Sequence, residues 1–458
     1  MNSQADLNGF DRVVHFVRTA DWESFPPEVR TKAKVCLLDA LCAIATGSLA
    51  PISRITAAYA RKLWPGGGEA TIFMDGARSS AVGAAFANAS AGNALDIDDG
   101  CRHVKGHPGA QLIPVALAVA EQCGRSGEET LTALVAGYET AIRIGHVWHN
   151  TREVYQACGS WGSVANAAVA ARLMGLDEDG IRNAMGIAEY HAPNLPMMQD
   201  IDHPAMAKHG IGWGAVTGVM AAGMAAEGYT GIPSLLGDPA HADWVGTIGR
   251  EFPMVAGVTF KHYASCLWGH PALMAARDLV KRHGIEIAEI AKIRIRGFHE
   301  MVRLGIRLPT TEEEAQFSVG WPLAALLLEG DVGPDQMLAH RYGDPAMRDL
   351  LTKMELVEDP EVEAVKEIGR WPCIVEITRI DGTTLSSGLI ILESGRIGDD
   401  LGLYADLWRY EDIQEKFARF CRKLYSSARI GDIIREVDEL DRAADIHRLV
   451  SLCKPDPD

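Results

Sequence analysis

The sequence predicts a mainly helical protein with an α+β insertion: a large all-helical domain built from both chain ends, and a smaller α+β domain between them. Three observations lead to this prediction. The first half of the 458-residue chain reads as one helix of small residues after another. Near residue 255 the pattern changes to the alternation typical of strands. After the glycine-rich stretch 395–402, apolar residues again recur at helical spacing.

The helices of the first half are predicted from apolar spacing and from composition. Pro26, Pro27 and Glu28 open the first clear one. Later segments are dominated by alanine and other small residues, whose side chains let helices approach closely. This composition indicates a compact helical core rather than exposed amphipathic rods. The segments are 110–122, 128–144, 162–174 and 211–226.

The α+β insertion is predicted from strand and turn signals. The run KIRIR alternates apolar and charged side chains, as a half-buried strand does. Asp381-Gly382 is a strong hairpin signal between two apolar runs. The predicted strands are 292–296, 354–357, 373–380 and 383–392, and the predicted helices between them are 312–329 and 334–338.

The last helices are predicted to return to the first ones, because apolar stripes at helical spacing resume between residues 413 and 440. The domain bounds that follow are 1–258 for the first part of the helical domain, 259–394 for the α+β domain, and 395–458 for the helical return.

Composition narrows the classes of function. A net charge of -17 without any basic run weighs against a nucleic-acid partner. The longest uncharged run, 210–226, is too short and too rich in glycine and alanine for a membrane span, and the N-terminal residues do not resemble a signal peptide. Nine cysteines without CxxC spacing predict reduced thiols and a cytoplasmic location, and weigh against an iron–sulfur cluster or structural zinc.

The stretch 93–110 gathers mixed charge beside an alanine-rich segment, and three interpretations are open. A helix can end in a solvated acidic loop. Paired carboxylates can hold a divalent cation, although the cations that follow them would repel it. Alternatively, Asp96 is a base or orients a histidine that moves protons. The charged side chains are Asp96, Asp98, Asp99, Arg102, His103, Lys105 and His107.

The two histidines of this stretch, His103 and His107, stand four residues apart, a spacing found in zinc ligands on helices. Gly106 and Pro108 interrupt any such helix, so no metal site is expected. A loop histidine held by a nearby carboxylate can instead titrate near neutral pH and transfer protons.

Two further segments carry cations into apolar surroundings. Lys208 and His209 stand at the start of a Gly/Ala-rich helix, where unpaired N–H groups favour anions. Lys261 stands near the boundary between the two predicted domains, where ligand clefts often lie. Together these segments predict a site for a carboxylate.

Eight runs of this sequence stand out together: EATIFMDGARSSAVGAAFANASAGNALDIDDG, HPGA, IPVALAVAE, GSWGSVANAAVAARLMGLD, AKHG, TFKHYASC, EEEAQFSVGWPLAALLLEG and EDIQEKF. These runs are similar to those of the MmgE/PrpD family, which includes 2-methylcitrate dehydratase, cis-aconitate decarboxylase and iminodisuccinate epimerase. The matches follow in family order from about residue 26 to about residue 420, so that the resemblance covers nearly the whole chain.

The resemblance implies an architecture, an assembly and a site. The resemblance implies that the α+β domain is a lid inserted late into a helical domain, and that the substrate binds between the two. The protein is expected to be a homodimer and to need neither a metal nor an organic cofactor. Asp96, His107, Lys208 and Lys261 occupy the family's acidic, histidine and two lysine positions, which implies catalytic roles for them.

The chain departs from the decarboxylase-like pattern of the family at four positions. Gly100 stands where that pattern has threonine, Gln156 and Cys266 where it has histidine, and Trp321 where it has tyrosine. Because glutamine cannot transfer a proton as histidine does, these changes leave the substrate open. The residues expected to shape the substrate pocket are His103, Gln156, His191, His203, Cys266 and Trp321.

The chemistry implied is the build-up of negative charge on a carbon next to a carboxylate. Lys208 and Lys261 are expected to bind the carboxylate and stabilise this charge, while His107, oriented by Asp96, transfers the proton. The first hypothesis is a cofactor-independent lyase of the hydro-lyase (dehydratase) type, acting on a small di- or tricarboxylate through a carbanion-like transition state. The alternatives are an epimerase or isomerase, a decarboxylase of a related acid, and a carboxylate-binding relative without turnover.

Overall fold

The computed structural model describes residues 8–393, 398–399, 403–404 and 409–454. It confirms the predicted fold class, a mainly helical protein with an α+β part formed late in the chain. Most of the glycine-rich stretch 395–402, and with it the predicted bound at residue 394, lies outside the described residues.

The α-helices account for most of the first half of the chain. They are α1 (Gly9–Thr19), α2 (Pro27–Gly47), α3 (Pro51–Leu63), α4 (Ala81–Gly92), α5 (Gly109–Cys123), α6 (Gly127–Thr151), α7 (Cys158–Met174), α8 (Glu178–Tyr190), α9 (Met197–Asp202), α10 (Ile211–Ala226), α11 (Ala242–Val245), α12 (Met254–Gly257), α13 (His270–His283), α14 (His299–Leu304), α15 (Glu312–Gln316), α16 (Gly320–Glu329), α17 (Pro345–Thr352), α18 (Pro360–Ala364), α19 (Tyr410–Cys421), α20 (Ser427–Asp438) and α21 (His447–Leu452).

The strands are short outside one sheet. They are β1 (Ala70–Thr71), β2 (Arg78–Ser79), β3 (Gly100–Cys101), β4 (Val258–Thr259), β5 (Ile290–Gly297), β6 (Met354–Glu358), β7 (Arg370–Arg379), β8 (Thr384–Ser386), β9 (Ile390–Glu393), β10 (Gly398–Asp399) and β11 (Leu403–Tyr404).

The helical core is built on close contacts of α10 with α7, α4 and α8. Small residues make these contacts possible. A Cβ atom on Gly218 of α10 would lie 2.3 Å from the Cβ of Asn166 on α7, so no side chain fits there. The predicted compact packing of small-residue helices is therefore what the structure contains.

The sheet of the α+β part has the strand order β6-β5-β7-β8, and β9 pairs with the other end of β7. Strands β5 and β6 are parallel, whereas the other pairs are antiparallel. The hairpin predicted at Asp381-Gly382 joins β7 to β8, and Gly382 has the left-handed φ of +86° that such a turn uses.

Two predicted elements are each divided in the structure. The strand expected over 383–392 becomes β8 and β9, because Gly388, with a φ of +66°, turns the chain between them. The helix expected over 312–329 becomes α15 and α16, since Phe317 leaves the helical conformation with a ψ of 50°.

Helix α19, the first helix after the α+β part, returns to the helical core by packing on α2. The buried Lys416 of α19 donates hydrogen bonds to Asp39 Oδ1 of α2 at 2.5 Å and to the carbonyl oxygen of Ile97 at 2.8 Å. This contact joins the two chain ends directly beneath the stretch 93–110.

A two-residue ladder fixes that stretch to the start of the later part of the chain. Gly100 and Cys101 of β3 pair antiparallel with Thr259 and Val258 of β4. As a result, the aspartates around residue 96 and the segment that contains Lys261 lie side by side.

Within the described residues, no single helix is long and apolar enough to cross a membrane. One pair of helices, α2 and α3, meets the length and composition criteria only when taken together, and the two are bent by 94°.

The Lys416–Asp39 pair provides a test of the helical return. Breaking a buried ion pair costs about 3–5 kcal/mol. Burial raises the pKa of Asp39 against the opposing effect of Lys416, so a proton can replace the lost ammonium group and limit the loss. Lys416→Met is expected to lower the apparent free energy of unfolding in urea by about 3 kcal/mol.

The matched control is Lys292→Met, which removes an exposed pair with Glu355 and is expected to lower the free energy of unfolding much less. Equal losses for the two variants would show that the buried pair does not hold α19 in place.

Candidate active site

A cavity of about 460 Å³ lies between the helical core and the α+β part. Its helical side includes Asp96, His107 and His209. Its other side includes Lys261 and Trp371. The stretch 93–110, the turn before α10 and the segment after β4 thus meet at one place, although they are far apart in sequence.

The three aspartates of the stretch 93–110 are all buried, so the stretch is not a solvated loop. Asp99 accepts hydrogen bonds from the backbone N–H of Gly109 and from the hydroxyl of Tyr138. Both carboxylate oxygens of Asp98 accept from the side-chain amide of Asn93. Asp99 therefore holds the start of α5 and Asp98 is bound locally, which leaves Asp96 to face the cavity.

Asp96 forms the centre of a buried charge cluster. Lys261 Nζ donates to Asp96 Oδ2 at 2.7 Å and to the Asp96 carbonyl oxygen at 2.8 Å. Lys208 Nζ lies 3.9 Å from Asp96 Oδ1. Burial by itself would raise the pKa of Asp96, but Lys261 and Lys208 outweigh it and hold the pKa far below its ordinary value. Burial likewise opposes the charge of Lys261, yet Asp96 raises the pKa of this lysine.

Lys208 lies behind Asp96 and does not line the cavity. Its Nζ donates to the Asn93 carbonyl oxygen at 2.5 Å and to Gln316 Oε1 at 2.6 Å. Burial lowers its pKa, although Asp96 favours the charged form. The structure therefore places Lys208 where it neutralises Asp96, and places Lys261 at the cavity wall.

His107 is held in one tautomer. Its Nδ1 lies 2.5 Å from the carbonyl oxygen of Asp99, and 3.5 Å from Asp98 Oδ2. Since a carbonyl oxygen can only accept, Nδ1 carries the proton and Nε2 keeps its lone pair. Burial and the nearby Lys261 lower the pKa of His107 to about 4, against the opposing effect of Asp98. His107 is thus a neutral base at neutral pH.

His209 is a second buried histidine in the same cavity. Its ring stacks on that of His107, with centroids 5.2 Å apart and an interplanar angle of 14°. Asp200 Oδ2 accepts from the His209 backbone N–H at 2.6 Å and lies 3.1 Å from its Nδ1. The sequence placed His209 beside Lys208 but did not predict a site role for it.

Backbone strain is concentrated at this cavity. Among the described residues, four non-glycine residues have a positive φ, and three of these line the cavity: Asp96 (52°), Lys105 (49°) and His209 (48°). Such conformations cost about 1–3 kcal/mol each and persist where the surrounding contacts impose them.

A metal ion does not fit the chemistry of this cluster. One oxygen of Asp96 and one ring nitrogen from each of His107 and His209 lie within 4.8 Å of one another, as ligands of a cation could. However, the ammonium group of Lys261 already occupies Asp96 Oδ2, and that of Lys208 lies 3.9 Å from Asp96 Oδ1. Two buried cations would repel a divalent ion at this position.

Among the six residues expected to shape the pocket, Cys266 alone lines the cavity. Burial raises the pKa of its thiol to about 12, so it faces the site as a neutral thiol.

The other five residues lie elsewhere. Gln156 accepts from the backbone N–H of Leu195, and Trp321 is fully buried and donates to the Gln336 carbonyl oxygen. The ring of His103 packs near that of Trp244, and His191 and His203 are exposed.

Several cavity residues carry no signal in the sequence. Trp268 and Trp371 line the cavity with ring centroids 6.3 Å apart, and Tyr155 is a further lining residue. Isolated aromatic residues in apolar runs are indistinguishable from core residues, so sequence reasoning could not find them. The motif AKHG, in contrast, contains His209 and offered a signal.

The protein has a helical core, an α+β part formed late in the chain, and a carboxylate bound by lysine between them. Comparison of the sequence with protein families identifies the class of protein that has this architecture. Residues 11–244 match the MmgE/PrpD N-terminal domain and residues 263–440 the MmgE/PrpD C-terminal domain. The chain belongs to the MmgE/PrpD family, as the sequence predicted.

The curated relatives include decarboxylases at low identity. Cis-aconitate decarboxylase of Homo sapiens is 25% identical over 93% of this chain and 90% of its own length. The cis-aconitate decarboxylase-like protein oryM of Aspergillus oryzae is 24% identical over 93% of each chain. Cis-aconitate decarboxylase of Aspergillus terreus is 22% identical over 98% of this chain and 97% of its own length.

The protonation state of His107 can be measured directly by NMR of protein labelled with ¹⁵N-histidine. The ring is expected to titrate with a pKa of about 4 and to carry its proton on Nδ1 above that pH. Because an unfolded histidine titrates near 6.5, the unfolded chain binds the proton first. This residue therefore contributes stability that is lost as the pH falls from about 6.5 to about 4.

The ring signals of His107 are assigned by comparison with the variant His107→Asn, in whose spectrum they are absent. A ring that titrates near 6.5, or that carries its neutral-state proton on Nε2, would contradict the tautomer and the environment described for His107.

Proposed function

We propose that the protein is a cofactor-independent lyase that removes water from a small di- or tricarboxylate through a carbanion-like transition state. Membership of the MmgE/PrpD family and the names of the curated relatives support an enzyme of the lyase type. Cytoplasmic location and a homodimeric assembly are part of this proposal.

The observation that carries the proposal is a neutral histidine base and a lysine ammonium group in one cavity. His107 Nε2 has a lone pair, and Lys261 uses two of its three N–H groups on Asp96. The third N–H is left for a carboxylate of the substrate. A carboxylate bound there would bring the adjacent C–H bond within the cavity that His107 lines.

The reaction follows from this arrangement. His107 Nε2 takes the proton from the carbon next to the carboxylate, and the electron pair left behind spreads onto the carboxylate oxygens. The ammonium group of Lys261 stabilises that charge, and Asp96 holds Lys261 in place. The bond to the leaving hydroxyl group on the neighbouring carbon then breaks, and a proton donor converts the hydroxyl group to water. Lys208 does not contact the substrate in this proposal; it stabilises the negative charge of Asp96, which in turn holds Lys261.

The cavity also has positively charged side chains that could bind a second carboxylate of the substrate. Arg102 and Lys105 line the same cavity and form no ion pair within the described part of the chain. Lys366 also lines it, but Glu300 and Glu363 neutralise this lysine at 2.7 Å and 2.6 Å. A second anionic group of the substrate would therefore bind toward Arg102 and Lys105, which supports a substrate with at least two carboxylates.

Decarboxylation is the second candidate, because the named relatives are decarboxylases. Loss of carbon dioxide leaves the same carbanion next to a lysine-bound carboxylate, and it then needs a proton donor rather than a base. Epimerisation needs both groups but keeps every atom. A binding protein without turnover would use Lys261 alone.

The experiment that separates these reactions is incubation of the protein with malate, citrate, isocitrate, 2-methylcitrate and cis-aconitate in deuterated water, followed by proton NMR. Dehydration of one of the four hydroxy acids is expected, with a new alkene signal and no loss of carbon, whereas cis-aconitate has no hydroxyl group to lose and tests decarboxylation. The reaction is expected to be unchanged by excess EDTA, since Lys261 supplies the positive charge. Loss of activity with EDTA that one metal restores would contradict cofactor independence.

Other outcomes redirect the proposal. Release of carbon dioxide would assign decarboxylation, and C–H exchange with inversion would assign epimerisation. Line broadening with no conversion of any acid would indicate binding alone and overturn the proposal of an enzyme.

His107 provides the test of the mechanism. General acid–base catalysis contributes about two to four orders of magnitude to the rate. His107→Asn is expected to lower kcat by this range on the first acid converted, with a much smaller change in KM, since asparagine cannot carry the proton. The matched control is His283→Asn, an exposed histidine at the end of α13. A wild-type kcat for His107→Asn would overturn the role of this residue.

A further inference from the structure

We propose that His209 is the general acid of this site, which delivers a proton while His107 removes one. The inference rests on the proposed function and completes it, because dehydration needs a proton donor for the leaving hydroxyl group. It is carried by the geometry of two stacked histidines whose rings are held by different chemical groups.

The two rings differ in what their Nδ1 atoms contact. His107 Nδ1 lies 2.5 Å from the Asp99 carbonyl oxygen, with the Asp98 carboxylate farther away at 3.5 Å, and this leaves Nε2 free to accept a proton. His209 Nδ1 faces the carboxylate of Asp200, which stabilises the positive charge of a doubly protonated ring. One ring is therefore arranged as a base and the other as an acid, 5.2 Å apart between centroids.

The other ring nitrogen of His209 also faces a carboxylate. His209 Nε2 lies 3.9 Å from Asp96 Oδ1, a buried oxygen that has no hydrogen-bond partner among the described residues. This distance is too long for a hydrogen bond, so the Nε2 proton is not held by Asp96 and can pass to a substrate atom. Carboxylates therefore lie near both ring nitrogens of His209, and only the one at Nδ1 is within hydrogen-bond distance.

Contacts on every side fix the ring in this position. Asp200 Oδ2 binds both the backbone N–H and the ring of His209, and Phe317 packs against the ring edge with centroids 5.7 Å apart. The residue has a left-handed φ of +48°, which these contacts impose. The charged and titratable groups around the ring and its Asp96 neighbour are Asp96, His107, Asp200, Lys208 and Lys261.

The proton and electron balance closes with these two residues. His107 Nε2 accepts the proton of the C–H bond, whose electrons form the new C=C bond as the C–O bond breaks. The proton of His209 Nε2 joins the leaving hydroxyl group to form water. His107 ends protonated and His209 neutral, and exchange with solvent restores both. In a decarboxylation, the same His209 proton would go to the carbon that has lost carbon dioxide.

If His107 removes the proton and His209 delivers one, the two variants should differ in C–H exchange, and one experiment measures this exchange together with turnover. His209→Gln and His107→Asn are incubated in deuterated water with the acid that the wild-type protein converts among malate, citrate, isocitrate, 2-methylcitrate and cis-aconitate. His209→Gln is expected to keep the exchange of the substrate C–H with deuterium while kcat falls by about two orders of magnitude or more. His107→Asn is expected to lose both. His283→Gln, an exposed histidine, serves as the matched control with both retained.

Two results would overturn the role of His209. Wild-type turnover by His209→Gln would remove it from the chemistry. Equal loss of exchange and turnover in a folded His209→Gln protein would show that it only positions His107. If the wild-type protein neither exchanges nor converts any of the acids, the proposed function fails and this inference fails with it. Wild-type conversion with an unaffected variant overturns the inference alone.

A second variant tests the same role if His209→Gln does not fold. Asp200→Asn keeps the histidine ring but removes the carboxylate that faces its Nδ1. Turnover is expected to fall while C–H exchange continues, because the ring that donates the proton loses the group that holds it. Wild-type turnover by Asp200→Asn, or a loss of C–H exchange equal to the loss of turnover, would contradict the assignment of His209 as the acid.

Discussion

The buried ion pair between Asp96 and Lys261, with Lys208 behind it, is the interaction on which the rest of the site depends. Each of these three charges would cost several kcal/mol to bury without its partners. Asp96 and Lys261 are 165 residues apart in the sequence. The cluster therefore forms only when the helical core and the segment after β4 have assembled. The charged side chains of the cavity thus take up their positions only in the folded protein.

The same cluster determines the behaviour of the two histidines. Lys261 helps to keep His107 unprotonated, while Asp96 and Asp200 face the two nitrogens of His209. Because the single carboxylate of Asp96 faces both Lys208 and Lys261, the cluster keeps a net positive charge. This charge favours a bound anionic substrate and, at the same time, the neutral form of His107. Trp268 and Trp371 line the same cavity, with their ring centroids 6.3 Å apart.

The departures from the family's decarboxylase-like pattern fall into two groups. Gly100 and Cys266 line the cavity, so they change the surface that a substrate meets. Gln156 and Trp321 do not line it, and their side chains bind backbone groups of the protein. Of the four departures that the resemblance implies, those at Gly100 and Cys266 therefore line the same cavity as Lys261.

The sequence by itself determined the fold class, the hairpin at Asp381-Gly382 and the family, because apolar spacing, turn residues and motif order are local signals. It also identified Asp96, His107, Lys261 and Cys266, all of which the structure brings to one cavity. Only the tertiary structure decided that Lys208 lies behind Asp96, that His209 faces the cavity, and that His103, His191 and His203 do not. Local sequence states which residue types are present, whereas the direction of a side chain at a turn depends on the helices and strands that pack around it.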